Sequence, residues 1–517
     1  MFIWVFFGWT SLLLGTAWGD ETEQLACSAK RGNGFDVAYL LCPTQDSTFD
    51  VTQSDVWFKF TEQGDRLDIT CNKALSADQL ETYLETVPKL KKDSVNLRTL
   101  TLKGCPVPSR SKSFSTWLSI LKSPGEGLRY LKFRSDSRRD EVLLKSKHFE
   151  GLENLTTLEI WGSIETLGPK LLSKLISLER FRYRRGDMLT SVHELAFQQN
   201  KKLGKIEILN SGLSTIHKDT FKGLTHLESL DLGYNKITSV PEELLTDLHR
   251  LKELILRYNS ISELPQNLLL KNPSLVVFAA QNLNGGGNLK IPANLFQNSV
   301  NLEILRLQRN SLTVLPDGLF EGLRNLRVLE LNGNNLENSA ITKQMLDDLD
   351  SLVEINLSRN KLTSPLSHHL HPVRDTLRKI SLKENLLSTF ERDWATNFVN
   401  LEEIDLRSNV IKGALHQRDF RFKKSKVKVN FQNNRIDRLA LSQKKDSCEK
   451  PKVKLVLKNN KIDCDCFAYK LLPIIVTRSN KPKSCFLVEG LEHQECPNKM
   501  GAKLKDLNED SLNCQIE

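Results

Sequence analysis

The chain has 517 residues, of which 26% are charged and 39% hydrophobic, and its formal net charge is +10. The two signs are interspersed, so this modest basic excess does not by itself call for nucleic acid as a partner. Such a length ordinarily suggests several domains, an expectation that an internal repeat overrides.

The first nineteen residues, MFIWVFFGWTSLLLGTAWG, carry no charge. A short apolar core ending in Ala17, Trp18 and Gly19 reads as a secretory signal cleaved before Asp20, although the basic leading region is missing. A signal anchor fits less well because the apolar run is short. Beyond it no apolar run approaches the roughly 18 residues of a membrane span. A secreted chain with neither a span nor a cytoplasmic segment is therefore expected.

The ten cysteines sit at the two ends. Cys27, Cys42, Cys71 and Cys105 come early; Cys448, Cys464, Cys466, Cys485, Cys496 and Cys514 come late; residues 106–447 have none. Even counts at both ends suggest two disulfide-stapled caps formed in an oxidising compartment. Residues 20–96 read as the N-terminal cap, with β-like stretches at Val56 to Phe60 and Leu67 to Cys71. Local pairing would join Cys27 to Cys42 and Cys71 to Cys105, although sequence alone leaves the connectivity open.

From Leu97 an eleven-residue phrase, LxxLxLxxNxL, recurs. Its clearest copies are Leu227, Leu230, Leu232, Asn235, Ile237 and, 24 residues on, Leu251, Leu254, Leu256, Asn259, Ile261. Starts fall at 97, 128, 155, 178, 203, 227, 251, 275, 302, 326, 352, 377, 401, 426 and 452, fifteen units in all. This is the leucine-rich-repeat signature. It predicts an α/β solenoid with a curved parallel sheet on its concave face over residues 97–462. Leucines two apart on a short strand share the core face, and the Asn amide can pair turn backbone groups. Phe221, Leu245, Leu269, Phe296 and Phe320 read as a spine under the outer turns.

The irregular positions carry competing readings. Gly285, Gly286 and Gly287 form an insertion without the Lys-Ser/Thr of a phosphate loop. Arg185, Gly186 and Asp187 spell an adhesion tripeptide, but Gly186 fills the Asn slot of a repeat. His368, His369 and His371 lack Cys or carboxylate partners and read as surface residues, as do the isolated His217, His249 and His416. The basic run Arg418 to Lys428 reads as a solvated outer face. Asn154 and Asn356 head glycosylation sequons, and Asn356 should face the inner surface. Cys464 and Cys466 directly after the last repeat open a C-terminal cap over residues 463–517. Catalytic spellings such as Gly-x-Ser-x-Gly, His-Glu-x-x-His or a P-loop are missing, so an enzyme is not expected.

With its caps placed, the sequence resembles the ectodomain of arthropod Toll receptors. The resemblance rests on the settings of Cys27, Cys42, Cys71 and Cys105, on the region of Asp393 and Trp394, on the stretch Asn434 to Leu441, and on the cap beginning at Cys464. It implies pairing of Cys464 with Cys496 and of Cys466 with Cys514, which leaves Cys448 with Cys485. It also implies a protein ligand, a Spätzle-like cystine-knot dimer; on the residues themselves no cofactor, nucleic acid or metal is expected. Full Toll receptors continue into a second repeat block, a membrane span and a TIR domain. None of these appears here, so a truncated product, a partial gene model and a secreted decoy all stay open, as does a secreted matrix repeat protein. The capped chain is expected to be a monomer without ligand. Sheet-facing positions of the early repeats give Arg129, Tyr130, Lys132 and Arg134, then Trp161, then Arg180, Arg182, Arg184 and Arg185, then Lys205. These predict a basic inner patch with Tyr130 and Trp161 as apolar anchors.

Overall fold

The computed structural model describes residues 28–31, 37–43, 54–61, 65–71, 75–90, 96–109, 112–134, 144–162, 164–186, 189–283, 285, 287–424, 426–441, 453–463, 465, 472–475, 486–491, 495–497 and 503–506. The signal segment, Cys27, Asp187, Cys448, Cys464, Cys466, Cys485 and Cys514 lie outside them. The chain divides into two compact units, Met1–Leu251 and Lys252–Glu517.

The first unit opens with β1 (Ser28–Arg31), β2 (Val37–Pro43), β3 (Ser54–Thr61) and β4 (Arg66–Cys71), joined antiparallel in chain order. Helix α1 (Ala77–Leu90) follows. Its start is fixed by a reciprocal cap in which the Gln79 amide donates to Ser76 Oγ and the Ser76 amide to Gln79 Oε1. Next, β5 (Thr99–Lys103) pairs parallel with β4, so the strands ahead of the repeats and the first repeat share one sheet. Cys71 at the end of β4 is disulfide-bonded to Cys105 just past β5. Helix α2 (Phe114–Ile120) buries Phe114, Trp117 and Leu118, and the Trp117 indole donates to Glu81 of α1 at 3.0 Å.

Parallel strands β6 (Tyr130–Arg134) and β7 (Thr157–Trp161) extend the sheet. The two-residue β8 (Thr166–Leu167) precedes β9 (Arg180–Gly186), and β10 (Ser191–Val192) precedes β11 (Lys205–Ser211). After β12 (Thr215–Ile216), β13 (Ser229–Asp231) continues the main sheet. The short strands β8, β10 and β12 form a second parallel sheet.

In the second unit, β14 (Glu253–Ile255), β15 (Val277–Ala279), β16 (Ile304–Arg306), β17 (Val328–Glu330), β18 (Glu354–Asn356) and β19 (Lys379–Ser381) stack in parallel. Helix α3 (Asp393–Asn397) buries Trp394 against Phe398 and leads to β20 (Glu403–Asp405). The series continues through β21 (Lys412–His416), β22 (Val427–Asn430), β23 (Arg435–Ala440) and β24 (Val453–Val456), with β21 and β23 paired apart from the main sheet. Each of the fifteen repeat starts lies one or two residues ahead of a strand, so the chain is a leucine-rich-repeat solenoid. β25 (Phe486–Glu489), in the segment read from sequence as the C-terminal cap, adds one more parallel strand.

The alternation in the phrase explains the packing. Leu230, Leu254, Leu305, Leu329 and their equivalents are at most 1% exposed, as are the spine residues Phe221, Leu245, Leu269, Phe296 and Phe320. The Asn slot closes the corner. Asn334 donates to the carbonyls of Leu331 and Leu307 and accepts from the amides of Asn310 and Leu312. Asn235, Asn360, Asn385, Asn409 and Asn434 make corresponding bonds to the preceding repeat. One side chain thus satisfies buried backbone groups of two repeats, which a free coil turn would leave unpaired. Gly285 of the inserted glycines lies against neighbouring backbone, where a Cβ would stand 2.7 Å from Ser260 O and Ser262 N.

Candidate ligand-binding face

Strands β6, β7, β9 and β11 place alternate side chains in three rows on the solvent side of the sheet. The register aligns Tyr130, Thr157, Arg180 and Lys205 in the first row. Lys132, Glu159, Arg182 and Glu207 form the second, and Arg134, Trp161, Arg184 and Leu209 the third. At strand spacing, opposite charges that alternate along a row sit close enough to pair.

The second row is a ladder of ion pairs. Lys132 Nζ lies 3.0 Å from Glu159 Oε1, and Arg182 reaches Glu159 at 3.5 Å and Glu207 at 2.6 Å. Arg184 approaches Glu207 from the third row at 3.6 Å. Glu159 is only 4% exposed, and it accepts from the Tyr130 hydroxyl at 2.8 Å and from the Trp161 indole N–H. Burial alone would raise its pKa, but donation from Trp161, Tyr130 and Lys132 outweighs it and holds the carboxyl below its ordinary range. For Arg182 burial works against the charge, and the bonded Glu207 more than restores it. Burial and the adjoining Glu159 push the Tyr130 phenol up, so it remains a donor.

Trp161 is surrounded by cations. Lys132 Nζ stands 4.7 Å from its ring centre, with the guanidinium carbons of Arg134 at 5.2 Å and Arg185 at 5.5 Å. Arg185 adopts a positive φ of 52°, which turns the chain where a repeat would normally carry its Asn corner. Arg180 is exposed and Lys205 half-buried in the first row.

The structure adds three details to the predicted face. The sequence already sets Glu159 between Lys132 and Arg182, and the structure adds Glu207 one repeat later, so the basic patch carries two built-in counter-ions. Tyr130 and Trp161 each spend their polar atom on Glu159, which fixes their rings on this face. Arg129 leaves the face: its guanidinium folds back onto the carbonyls of Glu126 and Leu128. Sequence reasoning misses the part played by Glu207, although it follows Arg182 in the same slot one repeat later.

Other singled-out residues are placed as follows. His368 pairs with Asp393 at 3.1 Å, and His371 contacts Arg374. His217 is not isolated: its Nδ1 lies 3.1 Å from Glu194 and 3.8 Å from Asp219, a donor group small enough to hold an ion. Asp219 is also paired with Lys222. The basic run is laced to acids of neighbouring turns, Lys428 to Glu403 at 2.6 Å and Lys424 to Glu402. Asn154 is exposed, and Asn356 faces the solvent side of the sheet, donating to Glu330 at 2.9 Å. Cys496 is disulfide-bonded. The expected partners Cys464, Cys466, Cys485 and Cys514 lie outside the described residues, as does the side chain of Cys42. No helix among the described residues is long and apolar enough to cross a membrane.

A family model described as leucine rich repeat matches residues 186–236, 201–261 and 300–362. None of the curated proteins compared matches the sequence. Among solved structures, one of the Drosophila Toll–Spatzle complex is similar with a TM-score of 0.58 and 20% identity, over 94% of this chain and 75% of that one. Its glycosylated form gives 0.59 and 19%, over 94% and 76%. A TLR13–ssRNA13 complex gives 0.64 and 18%, over 86% of this chain and 64% of that one. At these identities the likeness is one of fold: a leucine-rich-repeat chain built like those of Toll complexes.

Proposed function

We propose that this chain is the extracellular ligand-binding part of a Toll-type receptor, or a soluble form of it, and that it takes a protein ligand on the solvent face of β6 to β11. The ligand class that best suits the reading is a cystine-knot dimer of the Spätzle kind. One observation carries the placement. Trp161 stands on this face among Lys132, Arg134 and Arg185, and large aromatic and Arg side chains held in fixed positions are the usual carriers of interface energy. The ion-pair ladder beneath supports this reading, because it fixes the rotamers of the contact residues before the partner arrives and so lowers the ordering cost of binding. Tyr130, Lys132, Arg134, Trp161, Arg180, Arg182, Arg184 and Lys205 are the proposed contact set. Secretion, glycosylation of Asn154 and Asn356, and the C-terminal disulfides belong to the same proposal.

Surface plasmon resonance of the chain against a processed Spätzle-type cytokine tests it. Trp161→Ala should weaken binding by about 30-fold or more, corresponding to ~2 kcal/mol for a hot spot. If Trp161→Ala and Arg182→Glu both fold normally and bind like the parent, the ligand docks elsewhere.

A further inference from the structure

The counter-ions of the face are unevenly shared, and this indicates what the partner must bring. Glu159 is engaged by Lys132 and Arg182, and Glu207 by Arg182 at 2.6 Å and only loosely by Arg184 at 3.6 Å. In the third row, Arg184 Nε is buried and has no hydrogen-bond partner among the described residues. Beside it, Arg185 is exposed over Trp161, with Arg134 on the same ring. A guanidinium presents its donors as a planar fork that matches a carboxylate. The Nε–H is enclosed by the protein, so what Arg184 offers a partner is the open end of its guanidinium: the side chain keeps 35% of its area exposed and is only loosely held by Glu207.

We infer that the third row is an acceptor-binding site: the protein ligand places a carboxylate of an acidic segment between Arg184, Arg185 and Arg134, beside the indole of Trp161. This rests on the ligand-binding reading above and adds the chemistry of the contact. Glu159 and Glu207 prevent the inner cations Lys132 and Arg182 from taking the same role, so recognition is local to the third row. A site of this kind differs from general attraction to a basic surface, because removing the same charge elsewhere should leave it intact.

The experiment uses the full chain and three probes: a fluorescent hexaglutamate peptide, its hexaglutamine counterpart and the processed cytokine. The double variant Arg184→Gln, Arg185→Gln is compared with Arg421→Gln, Lys423→Gln, which removes two exposed cations of the basic run. Fluorescence polarisation should show the glutamate peptide binding and the glutamine peptide not. The first double variant should lose at least tenfold in affinity and the second less than twofold. Equal losses in both variants would mean unspecific charge attraction and would overturn the inference. A heparin oligosaccharide that competes in the parent and equally in the first double variant would also overturn it. A cytokine that binds with no dependence on Arg184 and Arg185 sinks the inference while leaving the ligand-binding reading standing. A glutamate peptide that binds as expected while the cytokine does not bind at all overturns the cytokine reading and supports the acceptor site.

Discussion

Glu159 and Glu330 occupy the same slot of their repeats, yet their surroundings drive them in opposite directions. Three donors overcome burial at Glu159 and hold its pKa down. At Glu330 burial dominates and raises it, with Asn356 as the counteracting donor. A carboxyl with a depressed folded pKa contributes stability above its unfolded value, near 4.5, and that contribution is lost as pH falls through the folded value. A carboxyl with a raised folded pKa costs stability at neutral pH and is relieved on acidification. Glu159→Gln is therefore expected to destabilise the fold at pH 7 by about 2 kcal/mol, leaving Lys132 and Arg182 without their shared partner, and the deficit should shrink below about pH 4.5. Glu330→Gln keeps an acceptor for Asn356 and should stabilise by up to about 1 kcal/mol at pH 7. Urea titrations at pH 7 and pH 4 check both. A destabilising Glu330→Gln at pH 7 would contradict the burial argument.

At the scale of elements, the corner asparagines do more than the leucines to fix the spacing of turns. Asn334 joins two repeats through four hydrogen bonds, all buried. Asn334→Ala leaves those backbone groups without partners, and a loss of about 3 kcal/mol is expected in urea unfolding, with Asn334→Asp recovering little because the two donors are gone. The inserted glycines divide sharply. Gly285→Ala should cost about 1–3 kcal/mol because its Cβ meets backbone, which cannot step aside, whereas Gly287→Ala has open space and should be near neutral. The array was legible in the sequence because its signal is periodic: leucines, Asn corners and the phenylalanine spine repeat at one spacing and mean the same thing each time. Helix α1 and strands β1 and β2, ahead of the repeats, were not, and neither was α2 in the first repeat, since each occurs once and has no second copy to reveal its pattern. The face residues were legible by slot, but their pairing was not. Glu207 lies 25 residues from Arg182 in sequence, and only the parallel register brings it to 2.6 Å.

For the molecule as a whole, 73 basic and 63 acidic residues nearly balance, so the field felt by a partner depends on where the excess sits. In the basic run near residue 420, Glu402 answers Lys424 and Glu403 answers Lys428, while Arg421 and Lys423 are exposed. On the face of β6 to β11, Lys132, Arg134, Arg180, Arg182, Arg184, Arg185 and Lys205 oppose Glu159 and Glu207, which is seven less two, or +5. A local excess of that size attracts a partner of opposite sign over about one Debye length, near 8 Å at physiological salt. It acts on the encounter more than on the bound state, because charges at the rim stay hydrated and screened after the partner has docked. Two kinds of substitution should therefore separate kinetically. Arg180→Glu and Lys205→Glu, in the first row, are expected to slow association by roughly three- to tenfold at low salt, with little change in dissociation and convergence on the parent above about 0.5 M salt. Trp161→Ala should leave association within about twofold and speed dissociation, because a packed indole contributes only after contact. Association and dissociation rates against the processed cytokine, measured between low and high salt, decide the matter. If the Arg180 and Lys205 variants instead change dissociation and Trp161→Ala changes association, the first row is the buried contact and the indole lies at the rim.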